Sequence, residues 1–105
     1  MNAAPLHRRK KLEIVVEALR AREVTAFVEA RGATGYTVLP VIEGKGHRGH
    51  RTSGDISSVG ETVLVVVIAG EEASDRILAD AAGLLRDSTA ILYVSDVQVV
   101  RGDHF

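Results

Sequence analysis

The alternation of apolar and polar positions predicts four strands and two helices. Along Lys11–Ala18, Leu12, Ile14 and Val16 alternate with Glu13, Val15 and Glu17, the period of a β-strand. Ala21–Arg31 changes period: Val24, Phe27 and Val28 fall at i, i+3 and i+4, and Gly32 supplies a C-terminal stop. Gly35–Ile42 is rich in β-branched and aromatic residues and reads as a second strand, with Pro40 confining that part to an edge or a bulge. Thr62–Ala69 is an unbroken apolar run, the clearest strand in the chain. Glu71–Arg86 is helical, with Ala73, Ile77, Leu78, Ala81, Leu84 and Leu85 on one face. Glu71, Glu72 and Asp75 suit its positive N-terminal end. After a short turn, Ile91–Val100 is the last strand and Arg101–Phe105 a tail.

The order β-α-β, long loop, β-α-β predicts an α+β, ferredoxin-like βαββαβ domain over residues 10–105. Right-handed crossovers put both helices on one face of a four-stranded antiparallel sheet. The other face is left bare, yet Val63–Ile68 and parts of Ile91–Val100 are apolar on both sides. A bare apolar face is an interaction surface, so sheet-to-sheet packing in a closed homo-oligomer is expected. Residues 1–9 read as a flexible N-terminal arm.

Composition narrows the function classes. Apolar residues make up 46% of 105 and charged residues 26%, a globular balance. A net charge of −1 gives no global field for nucleic acid or membrane, so any basic site is local. The absence of cysteine excludes disulfides, thiolate catalysis and cysteine–zinc sites. No apolar run reaches the roughly 18 residues of a membrane span. Met1–Lys11 lacks the apolar segment of a signal peptide, and a cytoplasmic protein is expected.

The candidate chemistry lies in Glu43–Gly60, 18 residues with five glycines, two histidines, one lysine and two arginines. A loop this long without a core pattern is functional or disordered. In Gly44–Arg51, GKGHRGHR, glycines let the backbone approach an anion, while Lys45, Arg48 and Arg51 add cationic donors. A phosphate or carboxylate site and a merely solvated loop both remain open. His47 and His50 form an HxxH pair, but without a third ligand and among arginines they make a poor metal site. Asp55, Asp96 and Asp103 have no histidine or serine at triad spacing, so no enzyme activity is expected. The best-suited role for Asp96, inside a strand, is a hydrogen-bonded or edge residue. Ser53, Ser57 and Ser58 read as solvated loop serines. Two Phe and two Tyr, with no stacking pair on a strand, count against RNA binding by the sheet.

KKLEIVVEA, GATGYTV at Gly32–Val38, GKG at Gly44–Gly46 and YVSDVQVV at Tyr93–Val100, in that order and spacing, resemble the PII signal-transduction family. GYTV, GKGHRG, RTSGD and RGDHF resemble its PII-like branch, which includes SbtB, a bicarbonate-transport regulator, and carboxysome-associated proteins. The resemblance implies a homotrimer with adenine-nucleotide sites in the clefts between subunits. It also implies a T-loop, here about residues 46–60, that docks on a target protein. Carried over by position, Gly44, Lys45, Gly46 and His47 lie at the T-loop base beside the phosphates, and Arg48 and Arg51 extend that site. Thr37 matches a threonine touching the adenine from the neighbouring subunit, Val67 aligns near the base pocket, and Ala90 closes the connection equivalent to the B-loop. Arg101 resembles an arginine reaching the phosphates. Gly46, Arg48 and Arg51 are the implied bicarbonate or second-anion site. The expected partner is a bicarbonate transporter or a carboxysome-related protein, with membrane contact only through that partner.

The departures from the family shift the expected ligand. Arg86–Ala90 lacks the glycines and lysine of a triphosphate-cradling B-loop and adds Asp87, which favours ADP, AMP or cyclic AMP over ATP. The loop has no tyrosine for uridylylation and lacks the glutamine usual beside the phosphates. No cofactor is implied. The alternative reading is a CutA-like trimeric metal-binding protein, motivated by His47 and His50.

Overall fold

The computed structural model describes residues 3–46, 49–52, 61–86 and 88–105. Its elements are β1 (His7–Glu17), α1 (Ala21–Ala30), β2 (Thr37–Pro40), β3 (Glu43–Gly46), β4 (Gly49–Thr52), β5 (Thr62–Ala69), α2 (Glu71–Leu85) and β6 (Ile91–Val99). The main sheet has the order β2-β5-β1-β6, with every pair antiparallel. This is the expected ferredoxin-like arrangement, and both helices pack on one face.

Strand parity explains that packing. Leu12, Ile14 and Val16 of β1, with Val65, Val67 and Ala69 of β5, point to the helices and are fully buried. They meet Val24 and Val28 of α1 and Ala73, Ile77 and Leu84 of α2. Leu78, expected on the buried face of α2, is 37% exposed beside a fully buried Ile77. Gly32 ends α1 at φ 107°. Its N–H donates to the Glu29 carbonyl at 3.1 Å, and the Ala33 N–H donates to that of Val28 at 3.1 Å, the two bonds of a Schellman cap. Two arginines tie the helices together. Arg20 Nη2 donates to the Leu84 carbonyl at 2.7 Å. Arg31 Nε donates to Asp80 Oδ2 at 2.8 Å, and its guanidinium lies 3.7 Å from the Phe27 ring centroid.

The opposite face carries rows read directly from the register: Leu39–Leu64–Val15–Ile91, then Thr37–Val66–Glu13–Tyr93. Leu39, Ile91 and Tyr93 are exposed on it. The apolar, helix-free face expected from the sequence is therefore present in the single chain.

Four boundaries differ from expectation. β2 spans only Thr37–Pro40 of the expected Gly35–Ile42. β1 begins at His7, so His7, Arg8 and Arg9, assigned to an arm, belong to the sheet; their backbones pair with Val99, Gln98 and Val97. The first part of the long loop is not irregular: β3 and β4 form a separate two-stranded hairpin. Residues 102–104 of the tail form a 3-10 turn around a buried Gly102. Pro40 is on the edge strand β2, where its missing N–H costs no ladder bond.

Ile77→Ala is expected to cost about 2–5 kcal/mol by urea denaturation, through a cavity under the sheet. Leu78→Ala next to it should cost clearly less; equal losses would contradict this packing.

Candidate functional site

The hairpin rises from the end of the sheet where β2 stops. The Val41 N–H donates to the Thr62 carbonyl at 3.0 Å, and β3 starts two residues later. Its register is Glu43↔Thr52, Gly44↔Arg51, Lys45↔His50 and Gly46↔Gly49. Two candidate anion-binding stretches, Gly44–Gly46 and the backbone at Arg51, are thus paired across one short ribbon. Lys45 is exposed. His47 and Arg48 lie outside the described residues, as do Ser53, Asp55, Ser57, Ser58 and Asp87. Among the described residues, no three His, Asp or Glu side chains cluster as a metal site would require.

Ala90 sits at the same end of the sheet, immediately before β6. Its N–H donates to Ser88 Oγ at 2.9 Å. The Ala90 amide is therefore already paired within the turn.

Thr37 and Arg101 are placed elsewhere. Thr37 lies on the exposed edge strand, paired with Val66 on the helix-free face. Arg101 is exposed and follows β6 at the opposite end of the sheet from Ala90. Ala90 is next to Ile91, which pairs with Val15, whereas Arg101 lies beyond Val99, which pairs with His7. Strand rise puts the two ends of that pairing about 27 Å apart. The candidate residues therefore fall apart along the sheet: Gly44, Lys45, Gly46 and Ala90 at one end, and Arg101 at the other, with Thr37 between the levels.

Val67 is in neither. It is fully buried against the helices and pairs with Leu12, so it offers no surface to a ligand in this chain. Its neighbour Val66 shares the face and the row of Thr37. A one-residue offset in an alignment flips a side chain to the other side of a sheet.

A groove of about 640 Å³ opens at the Arg101 end, lined by Arg8, Arg9, Lys10, Glu71, Asp96, Val97 and Gln98. None of the expected nucleotide- or anion-site residues is among those lining it. Lys10 Nζ donates to Asp96 Oδ1 across β1 and β6. This hydrogen bond, then the charge of the partner, raises the Lys10 pKa and lowers that of Asp96. Asp96 is thus a hydrogen-bonded residue on an edge strand, as read from the sequence. Arg9 reaches the C-terminal turn, with Nη2 donating to the Gly102 carbonyl at 2.6 Å.

The family model for nitrogen regulatory protein P-II matches residues 9–104. The chain belongs to the P-II family. Among solved structures, CPII, a nitrogen regulatory PII-like protein from Thiomonas intermedia K12 bound to ADP, AMP and bicarbonate, superposes with a TM-score of 0.88. It is 25% identical, with 98% of each chain covered. A PII-like signaling protein from Thermus thermophilus is 32% identical, with a TM-score of 0.81 over 95% of this chain and 97% of the other. The GlnK–ATP complex of B. subtilis, 16% identical at a TM-score of 0.59 over 86% of this chain and 82% of that one, shares the fold. P-II membership does not favour the CutA-like alternative. Among the described residues no helix is long and apolar enough to cross a membrane.

The ion pair in this P-II chain has a pH signature. The lowered Asp96 pKa gives a stabilisation present at neutral pH and lost as pH falls through that lowered value. The raised Lys10 pKa keeps its share until pH rises above the ordinary lysine range. Asp96→Asn should therefore lower Tm slightly at pH 7, with the difference vanishing in strong acid and shrinking in high salt, because the pair is exposed. A Tm difference that does not shrink as pH falls from 7 through the ordinary carboxylate range and below it would contradict this.

Proposed function

We propose that this protein is a regulatory, non-catalytic adenine-nucleotide sensor whose ligand sites lie in the clefts of a homotrimer. The observation that carries this reading is the match over 98% of both chains to CPII bound to ADP, AMP and bicarbonate. The split of the candidate residues supports it further. Candidate residues split between the two ends of the sheet, with Thr37 between them, suit a ligand held between two copies: Gly44, Lys45, Gly46 and Ala90 from one subunit, Thr37 and Arg101 from the next. The helix-free apolar face, with Leu39, Ile91 and Tyr93 exposed, is the surface on which copies would pack.

Within such a cleft, Lys45 and Arg101 supply charge-assisted bonds to phosphate, and Thr37 on its edge strand faces the base. The Ala90 amide is occupied by Ser88, which favours ADP or AMP, or cyclic AMP, over a full triphosphate. Bicarbonate is the proposed second ligand, held by Gly46, Arg48 and Arg51 at the hairpin. Signalling follows by population shift: nucleotide at the hairpin base favours one set of T-loop conformations over residues 46–60, and a target reads that set. The ligand moves the loop only by its differential affinity for the two states. A cytoplasmic setting and a partner in carbon metabolism or bicarbonate transport belong to the same proposal.

Calorimetric titration with AMP, ADP, ATP and cyclic AMP tests it. Saturable binding is expected, strongest for a ligand with fewer than three phosphates. Lys45→Ala and Arg101→Ala should each weaken it about tenfold or more, the cost of one hydrogen bond to a charged group. No binding to any of the four by an intact trimer would overturn the reading. ADP affinity unchanged by bicarbonate at constant pH and ionic strength would remove the second ligand alone.

A further inference from the structure

The C-terminal turn is held at both ends by side chains from elsewhere in the chain. At its start, Arg9 Nη2 donates to the Gly102 carbonyl at 2.6 Å. The other terminal nitrogen, Nη1, donates to the Arg8 carbonyl at 2.6 Å, which fixes the guanidinium against β1. At its end, Thr34 Oγ1 donates to the His104 carbonyl at 2.8 Å. Thr34 stands three residues before Thr37, in the segment that enters β2. The turn closes internally as well: the His104 N–H donates to the Arg101 carbonyl at 3.2 Å, and the Phe105 N–H to that of Gly102 at 3.3 Å.

The contact at Gly102 is tight. A Cβ there would lie 2.6 Å from His7 Cγ and 2.9 Å from Arg9 Nη2. Glycine is required because backbone and β1 side chains approach this closely, not because of its dihedral angles. The Arg9 Nε is buried and has no hydrogen-bond partner. A merely solvated arginine would carry no such cost, so this side chain is committed to the turn.

We infer that Arg9 is a positioning residue for Arg101: it clamps Gly102, the next residue, so that the C-terminal turn, held separately at its far end by Thr34, presents Arg101 preformed. The inference rests on the nucleotide-sensor reading. Arg9 itself touches no ligand; it sets the backbone from which Arg101 reaches the phosphate. Pre-organisation of this kind raises affinity by removing an ordering cost at binding.

The test compares wild type, Arg9→Ala, Arg9→Lys, Arg101→Ala and the Arg9→Ala/Arg101→Ala double variant. ADP is titrated directly and adenosine by competition. Arg9→Ala should weaken ADP about tenfold while changing adenosine less than about twofold, because only the phosphate contact depends on the clamp. Arg9→Lys, which keeps a cationic N–H donor group, should recover part of the loss. The double variant should bind ADP no worse than Arg101→Ala alone. Equal losses for ADP and adenosine, or additive losses in the double variant, would overturn the proposal while leaving the sensor reading intact. Failure of wild type to bind ADP would overturn both, and the wild-type arm separates the two cases. A measurement without nucleotide is independent: amide exchange at His104 and Phe105 should accelerate in Arg9→Ala while that of Val65 stays unchanged. Unchanged exchange at the turn would also overturn the clamp.

Discussion

β1 and β5 pair residue by residue from Lys10↔Ala69 to Glu17↔Thr62, and the rest of the molecule depends on that register. It turns Leu12, Ile14, Val16, Val65 and Val67 toward the helices and Val15, Leu64 and Val66 away from them. A shift of one residue would expose the first set and bury Glu13 and Lys11 among the helix side chains, at a cost no domain of this size sustains. The same register places β2 on one edge and β6 on the other. It thereby decides that the hairpin and Ala90 leave the sheet at one end and that Arg101 leaves at the other.

The proposed function builds on this separation of ends. A lysine on a glycine-rich ribbon and an arginine on a clamped turn are each common surface features. Neither alone encloses a nucleotide. Brought together by the symmetry of a small oligomer, they would make a cleft with cations from both walls and an apolar sheet face behind it. The C-terminal turn is tied down by Arg9, Thr34 and its own backbone bonds, so the Arg101 wall of the proposed cleft is preformed.

Much of the fold was legible because apolar periodicity and punctuation carry it. Leu12, Ile14 and Val16 alternate as a half-buried strand must, Gly32 sits where an α-helix needs a left-handed residue, and Pro40 marks an edge. The misreadings share a cause: they lie where backbone partners rather than apolar pattern determine structure. His7–Arg9 has no strand pattern, yet β6 offers it a ladder. Gly44–Gly46 and Gly49–Thr52 pair with each other, and Gly, Lys, His and Arg announce no such pairing. The C-terminal turn is built by Arg9 and Thr34, far away in sequence. Lys45 was legible as a cationic donor in a glycine-rich stretch, whereas the site roles of Thr37, Val67 and Arg101 came from resemblance in motif and order, a route that carries no parity information. Val67 accordingly falls on the wrong face, while Val66 stands beside Thr37. Arg9 gave one signal, a charged residue directly before a strand pattern, which is too common to single it out.

The central claim is that one ligand site draws its two walls from different copies of the chain. The most direct measurement refolds an equimolar mixture of Lys45→Ala and Arg101→Ala subunits into trimers and counts ADP sites by calorimetry. Each variant alone binds weakly. Walls from neighbouring subunits would restore about a quarter of the sites to wild-type affinity, since that share of clefts pairs an intact Lys45 with an intact Arg101 across a symmetric interface. Mixed trimers with no restored sites would mean that both walls come from one chain, and would contradict the account.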